Sequence, residues 1–242
     1  MNRFVKRISA VILTLSTVIG TVFMSGGDIY AEDTENGTSQ NTSQDASLDW
    51  PEAPDIVAQS AILIDADTGA ILYQKDAHAR AYPASTTKIL TGLLTIENCS
   101  LDEIVTFSSE AANSVTYEDS NLGTKTGEQY TVEQALYGLL LYSANEIAYG
   151  LAEHVSGSLS AFTDLMNERA KELGAINTHF SNASGLHDDN HYTTAYDMAM
   201  IAKGCYNNST FVNIDSTSTT YTIPPTNKTS EERIFRHRHL ML

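Results

Sequence analysis

Apolar positions dominate the first part of the chain, from Ile8 to Met24, behind a basic start of Arg3, Lys6 and Arg7. Ser25, Gly26 and Gly27 follow, and Ile29-Tyr30-Ala31 ends on a small residue. A basic start, an apolar centre and a small-residue end form the pattern of a secretory signal peptide, here with cleavage after Ala31. The competing reading is a membrane anchor, because the run is nearly long enough to span. Its Ser, Thr and Gly residues and its cleavage-like end favour the signal. No Cys follows the run, so lipoprotein attachment is not indicated. Residues 32–50 reverse the pattern, being rich in Glu, Asp, Thr, Asn, Ser and Gln, and read as a flexible solvated linker. The ordered part begins at Trp50-Pro51, and residues 51–242 are read as one domain.

Within that domain the patterning changes period several times. Residues Ala61 to Tyr73 read as two apolar strands around a polar turn, with Gly69 supplying the positive φ of the turn. The Asp65-x-Asp67-x-Gly69 spacing lacks the further ligands of a calcium loop and is read as a plain hairpin. Thr86 to about Glu97 is a strongly apolar helix opened by Pro83-Ala84-Ser85. Thr131-Val-Glu-Gln134 is a capping box that starts one long helix, Val132 to about His154, with Gly157 beyond its end. Ser160 to Leu173 is amphipathic and stops at Gly174. Thr194 caps another helix through about Tyr206, with Asp197 at its third position. Thr217 to Pro224 alternates as a strand would. No internal repeats are visible.

Composition narrows the function. In 242 residues, 42% are hydrophobic and 18% charged, enough apolar material for a packed core. Lys and Arg number 14 against 30 Asp and Glu, a net charge of −16. That balance opposes nucleic-acid binding, which needs a basic footprint, and electrostatic docking on anionic lipid. The basic end Arg236-His-Arg-His239 is too short to change this. Cys99 and Cys205 lie in or near predicted helices; nothing in the sequence shows that they meet. The pair His187 and His191 in His187-Asp-Asp-Asn-His191 has metal-like spacing, but its place before a helix cap favours turn chemistry. The Asn41 and Asn182 sequons mean little if the source is bacterial.

Two constellations carry chemistry. In Ser85-Thr-Thr-Lys88, residues three apart share a helical face, so hydroxyl and ammonium can touch. A serine hydroxyl is a weak nucleophile until a base takes its proton. A lysine serves as that base only when its pKa falls towards neutrality, and a helix N-terminus and apolar surroundings both push it down. Ser143-Ala-Asn145 places two polar residues at the end of the apolar run Ala135 to Tyr142. Each pattern alone also suits ordinary helix-surface bonding.

Together they resemble a known family. Ala81-Tyr-Pro-Ala-Ser85-Thr-Thr-Lys88-Ile-Leu-Thr91 is similar to the nucleophile motif of the D-alanyl-D-alanine carboxypeptidases, low-molecular-weight penicillin-binding proteins. The preceding hairpin, Leu139-Leu-Leu-Tyr-Ser143-Ala-Asn145, Asn182-Ala-Ser-Gly-Leu186 and Asn190-His-Tyr-Thr-Thr-Ala-Tyr-Asp197 resemble further family blocks, in the family's order. The resemblance implies an α/β penicillin-binding, serine β-lactamase-like fold: an antiparallel sheet flanked by helices, with a helical subdomain. It implies that Ser85 attacks the carbonyl between two terminal D-alanines of a peptidoglycan stem peptide, Lys88 accepts its proton, Ser143 relays a proton, and Asn145 holds substrate and Lys88. It implies no metal or organic cofactor, β-lactams as covalent inhibitors, and a place outside the bacterial cell membrane.

Two departures stand out. Glu146 sits where the family often has Asp. The family's Lys-Thr-Gly strand follows its Ser-x-Asn motif, whereas Lys125-Thr126-Gly127 precedes Ser143 and is read as a surface turn. The chain is therefore expected to end before that strand, and so to be poorly stable and nearly inactive alone. A cooperative melt with measurable D-alanine release tests that expectation. The rival readings are a serine β-lactamase, for which Glu168 and Glu172 lack the deacylation context, and a protein that binds wall peptides without turnover.

Overall fold

The computed structural model describes residues 53–116 and 119–237. The signal and linker segments lie outside them. Near the start, β1 (Ala61–Ile64) pairs antiparallel with β2 (Ile71–Lys75), opposing Ala61 to Lys75 and Leu63 to Tyr73. The turn between them is closed by Asp65, whose Oδ1 accepts from the Thr68 N–H at 2.7 Å and hydroxyl at 2.6 Å. Gly69 takes φ 77° there. The Asp65 carboxylate thus serves a turn, as expected. Leu63, Ile71 and Leu72 on this hairpin remain exposed.

A 3-10 turn, Ala84–Thr87, leads directly into α1 (Lys88–Asn98). This helix is the centre of the molecule. Packed against it are α3 (Val132–Leu140), α4 (Asn145–Ser156), α5 (Leu159–Glu172), α6 (Ala195–Tyr206) and α7 (Ser209–Asp215). Leu90, Leu93 and Leu94 of α1 join Leu136, Leu139, Ile147 and Leu151 in one core with almost no exposure. Burying each such side chain is worth about 1.5–3 kcal/mol. Two further antiparallel ladders lie outside this bundle: β3 (Ile104–Thr106) with β4 (Gln129–Thr131), and β5 (Tyr221–Ile223) with β6 (Arg233–Phe235). A short helix, α2 (Ser109–Ala112), follows β3 and packs on α4.

The helix starts follow their side chains. Thr131 Oγ1 accepts from the Gln134 N–H, and the Gln134 side chain accepts from the Thr131 N–H, completing the capping box of α3. Thr194 caps α6 through the Asp197 N–H, while the Asp197 carboxylate turns to the loop, accepting from the Asn177 N–H and the Thr178 hydroxyl. Gly157 and Gly174, both left-handed, lie just past the ends of α4 and α5.

The expected single helix from Val132 to His154 is two helices. After Leu140 the chain turns out through Ser143, which sits at φ 63°, and restarts at Asn145. No Gly or Pro marks this break, and the apolar period runs through it. Ser120 makes it from outside: its hydroxyl donates to the Tyr142 carbonyl at 2.9 Å, and its own carbonyl accepts from the Asn145 N–H at 2.8 Å. A left-handed serine costs about 1–3 kcal/mol, which those bonds and the surrounding core must offset.

The C-terminal hairpin is fastened by a buried ion pair. Arg233 grips the fully buried Glu128 carboxylate through Nη1 at 2.9 Å and Nη2 at 3.2 Å, and Thr226 donates to the same carboxylate at 2.6 Å. Burial pushes the Glu128 pKa up, but these donors and the Lys125 N–H outweigh it and hold it at about 2. Lys125-Thr126-Gly127 forms the turn just before Glu128, with Gly127 at φ 74° and Lys125 exposed. This matches the surface-turn reading of those three residues.

Candidate active site

Ser85, Lys88 and Asn145 come from two helix beginnings. Ser85 is exposed on the 3-10 turn; Lys88 is the first residue of α1 and only 2% exposed. Asn145 is the first residue of α4. Lys88 Nζ donates to Asn145 Oδ1 at 2.6 Å, to the Ser184 carbonyl at 2.7 Å and to Ser85 Oγ at 3.3 Å. An ammonium has three N–H groups, and all three are used here.

The longest of these bonds is the informative one. When Lys88 loses a proton it keeps two N–H donors, which suit the two short bonds to Asn145 and Ser184. Its lone pair then faces Ser85 Oγ. The base is thereby aimed at the nucleophile by two bonds that survive deprotonation. Burial lowers the Lys88 pKa from 10.5 to about 8, against the opposing pull of the Glu146 carboxylate. A lysine so placed can take a serine proton near neutral pH.

Glu146 is itself buried in the first turn of α4. Its Oε1 accepts from the Leu122 N–H at 2.6 Å and the Thr124 hydroxyl at 3.0 Å, fixing the segment after Ser120 to the helix. Its Oε2 has no hydrogen-bond partner among the described residues. Burial raises its pKa, opposed by those two donors.

Ser143 stands two residues before Asn145, half-buried and left-handed. Among the described residues it makes no hydrogen bond to the Lys88 cluster. The structure therefore joins three of the four residues singled out from sequence and leaves the fourth two residues before Asn145, on the connection between α3 and α4.

Several residues around Ser85 were missed as site residues. Ser184 enters through a main-chain carbonyl, which side-chain patterns do not reveal. Gly185 follows at φ 88°, and a Cβ there would lie 1.8 Å from the Ala84 carbonyl oxygen. Only glycine lets the two loops approach this closely. Ala84 itself is left-handed at φ 49°, so the nucleophile's turn carries strain. His191 is buried, with Nε2 2.8 Å from Thr87 Oγ1 and Nδ1 accepting the Ser181 N–H at 3.1 Å. Since Nδ1 accepts, the ring proton lies on Nε2 and is donated to Thr87. Burial lowers the His191 pKa to about 4, so the ring is neutral at pH 7. His187 stays exposed, edge-on to Tyr82. His187 thus stays in the exposed stretch, whereas His191, read from sequence as part of a turn, is a buried partner of Thr87. Glu172, weighed for a β-lactamase role, pairs with Arg169 at 2.8 Å on the surface of α5.

Comparison with known proteins shows the family and the fold. The family described as D-alanyl-D-alanine carboxypeptidase (peptidase S11) matches residues 48–232. The D-alanyl-D-alanine carboxypeptidase DacF of Bacillus subtilis is 42% identical over 151 residues, 60% of this chain and 38% of the relative. DacA of Escherichia coli is 33% identical over 199 residues, 79% of this chain and 46% of the relative. The chain thus spans less than half the length of these two relatives. The crystal structure of a D-alanyl-D-alanine carboxypeptidase from Mycobacterium tuberculosis superposes with a TM-score of 0.70 at 31% identity, covering 77% of this chain and 68% of that one. The fold is the penicillin-binding, transpeptidase type expected from the motifs, and the chain belongs to the D-alanyl-D-alanine carboxypeptidase family.

Proposed function

We propose that this chain carries the nucleophile and proton-handling residues of a serine-type carboxypeptidase that removes the terminal D-alanine from peptidoglycan stem peptides. The single observation that carries the reading is Lys88 Nζ, bonded at once to Ser85 Oγ, Asn145 Oδ1 and the Ser184 carbonyl. In this reading Ser85 Oγ attacks the penultimate D-alanine carbonyl as Lys88 takes its proton. The C–N bond breaks, the proton passes to the departing amine of D-alanine through Ser143, and an ester remains on Ser85. Asn145 holds Lys88 and the substrate amide. Water then attacks the ester with Lys88 again as base, restoring the hydroxyl and releasing the shortened peptide.

Penicillins belong in the same site, acylating Ser85. Labelling by a fluorescent penicillin, lost in Ser85→Ala, is the expected outcome. A folded protein that takes no label supports instead a chain that binds wall peptides without turnover. Steady nitrocefin turnover supports a β-lactamase. The protein is also proposed to act outside the cell membrane after cleavage at Ala31, a reading supported by the pattern of residues 1–31. N-terminal sequencing of exported protein that begins elsewhere than at Glu32 contradicts the cleavage site. Among the described residues, no helix is long and apolar enough to cross a membrane.

A further inference from the structure

At the far ends of the two helices that carry Lys88 and Asn145, three side chains of different chemistry converge. Cys99 follows the last residue of α1, Glu103 lies on the next loop, and His154 lies in the last turn of α4. The Cys99 Sγ, a Glu103 carboxylate oxygen and a His154 ring nitrogen all lie within 4.8 Å of one another. We propose that Cys99, Glu103 and His154 form a binding site for a thiol-preferring divalent cation of the Zn2+ class. This site is separate from the nucleophile and does not depend on the proposed reaction.

The donor set selects the ion. Thiolate and imidazole favour Zn2+ over Mg2+ or Ca2+, which prefer all-oxygen shells. Around tetrahedral Zn2+, with bonds of about 2.0–2.3 Å, ligand atoms stand about 3.3–3.8 Å apart. His154 Nε2 and Glu103 Oε2 are already 3.2 Å apart, so only a modest inward shift of the remaining ligand is required. A fourth position remains for water, since His154 and Glu103 are partly open to solvent.

Cys99 and Glu103 are fastened by local hydrogen bonds. The Cys99 N–H closes α1 on the Thr95 carbonyl at 3.0 Å. Glu103 Oε1 accepts the Ser100 N–H at 2.5 Å, which leaves Oε2 directed at His154. Glu103 and Leu101 carbonyls accept the Val132 and Glu133 N–H groups, so the loop is fastened to the start of α3. Groups that orient metal ligands in this way raise affinity. Burial and the neighbouring Glu103 keep the thiol protonated. The ion takes that proton's place on sulfur, and one proton passes to solvent.

The consequence is mechanical. Lys88 and Asn145 join α1 and α4 at their first residues, and the ion joins the same two helices at their ends. The separation, set by an 11-residue helix, is about 16 Å, too far for the ion to touch the reaction. It acts on stability, through binding to the folded state alone.

The test uses chelator-stripped protein titrated with Zn2+ against a chromophoric competitor, and separately with Co2+. One saturable Zn2+ per chain, a higher Tm with Zn2+, and a near-ultraviolet thiolate-to-Co2+ band are expected. Cys99→Ser and His154→Gln should each weaken Zn2+ binding at least about tenfold. Cys205 is buried in the core and offers no alternative thiol. Absence of saturable binding, or binding that is indifferent to either substitution, overturns the proposal. The Co2+ band needs no variant, and its absence in the unaltered protein overturns it as well.

Discussion

If Lys88 is the base for Ser85, the rate of acylation should follow the deprotonation of one buried amine. The structure sets where that limb falls. Lys88 titrates at about 8 instead of 10.5. At pH 7 roughly one molecule in ten then holds a neutral Lys88, against about one in 3000 for an ordinary lysine, a gain of about 300-fold in competent enzyme. The same shift has a stability cost of about 3 kcal/mol at neutral pH, because the unfolded chain keeps the proton more readily. Between pH 8 and 10.5 the unfolded lysine still holds a proton that the folded one has lost, so stability contributed by this group rises with pH across that window. The assay is the rate of labelling by a fluorescent penicillin from pH 5 to 9, a single-turnover event readable even where turnover is slow. The rate should climb about tenfold per pH unit and level near 8. Glu146→Gln removes the carboxylate that opposes the shift, so the limb should move to lower pH. A flat profile, or a limb that moves upward in Glu146→Gln, refutes the assignment of Lys88 as base.

Other perturbations separate structure from chemistry. Ser143→Gly relieves a left-handed serine and should raise the Tm while slowing labelling; Ser143→Ala should slow labelling without that gain, and equal Tm changes in both count against the strain argument. Gly185→Ala drives a methyl into the Ala84 carbonyl, and should cost both stability and labelling even though Ser85 and Lys88 are unchanged, read by calorimetry beside the label. Arg233→Met leaves Glu128 buried without its cation, and urea unfolding should show a loss of about 3–5 kcal/mol. Because Glu128 titrates at about 2 when folded and 4.5 in its ordinary state, its stabilisation is complete above 4.5 and is lost as pH falls towards 2. Acid unfolding of the unaltered protein should therefore steepen in that window, and no change in slope there counts against the pair.

What the sequence made legible was local. The Thr131 and Gln134 box, the Thr194 cap and the glycines at 157 and 174 each act on neighbours within one helical turn, so their effects follow from spacing. The break at Ser143 depends on Ser120, more than twenty residues earlier, and no local pattern records it. Strands β3, β4 and β6 are three residues each, too short for alternation to register. The α7 helix carried a readable signal, an Asn208 cap followed by Phe211 and Ile214 at helical spacing, and was missed. At the site, Ser85, Lys88 and Asn145 were legible because they stand in motif blocks that resemble a known family, and their side chains bond one another. Ser184 and Gly185 act through the main chain, and His191 acts from inside the core, where its sequence neighbours look like a polar turn.

The most direct test of the account is intact-mass analysis of the protein after incubation with a penicillin, followed by peptide mapping of the adduct. One covalent penicillin per chain, on the peptide containing Ser85 and absent from Ser85→Ala, is the result expected. An adduct on another residue, or a folded protein that remains unmodified at saturating penicillin, contradicts the assignment of Ser85 as the nucleophile.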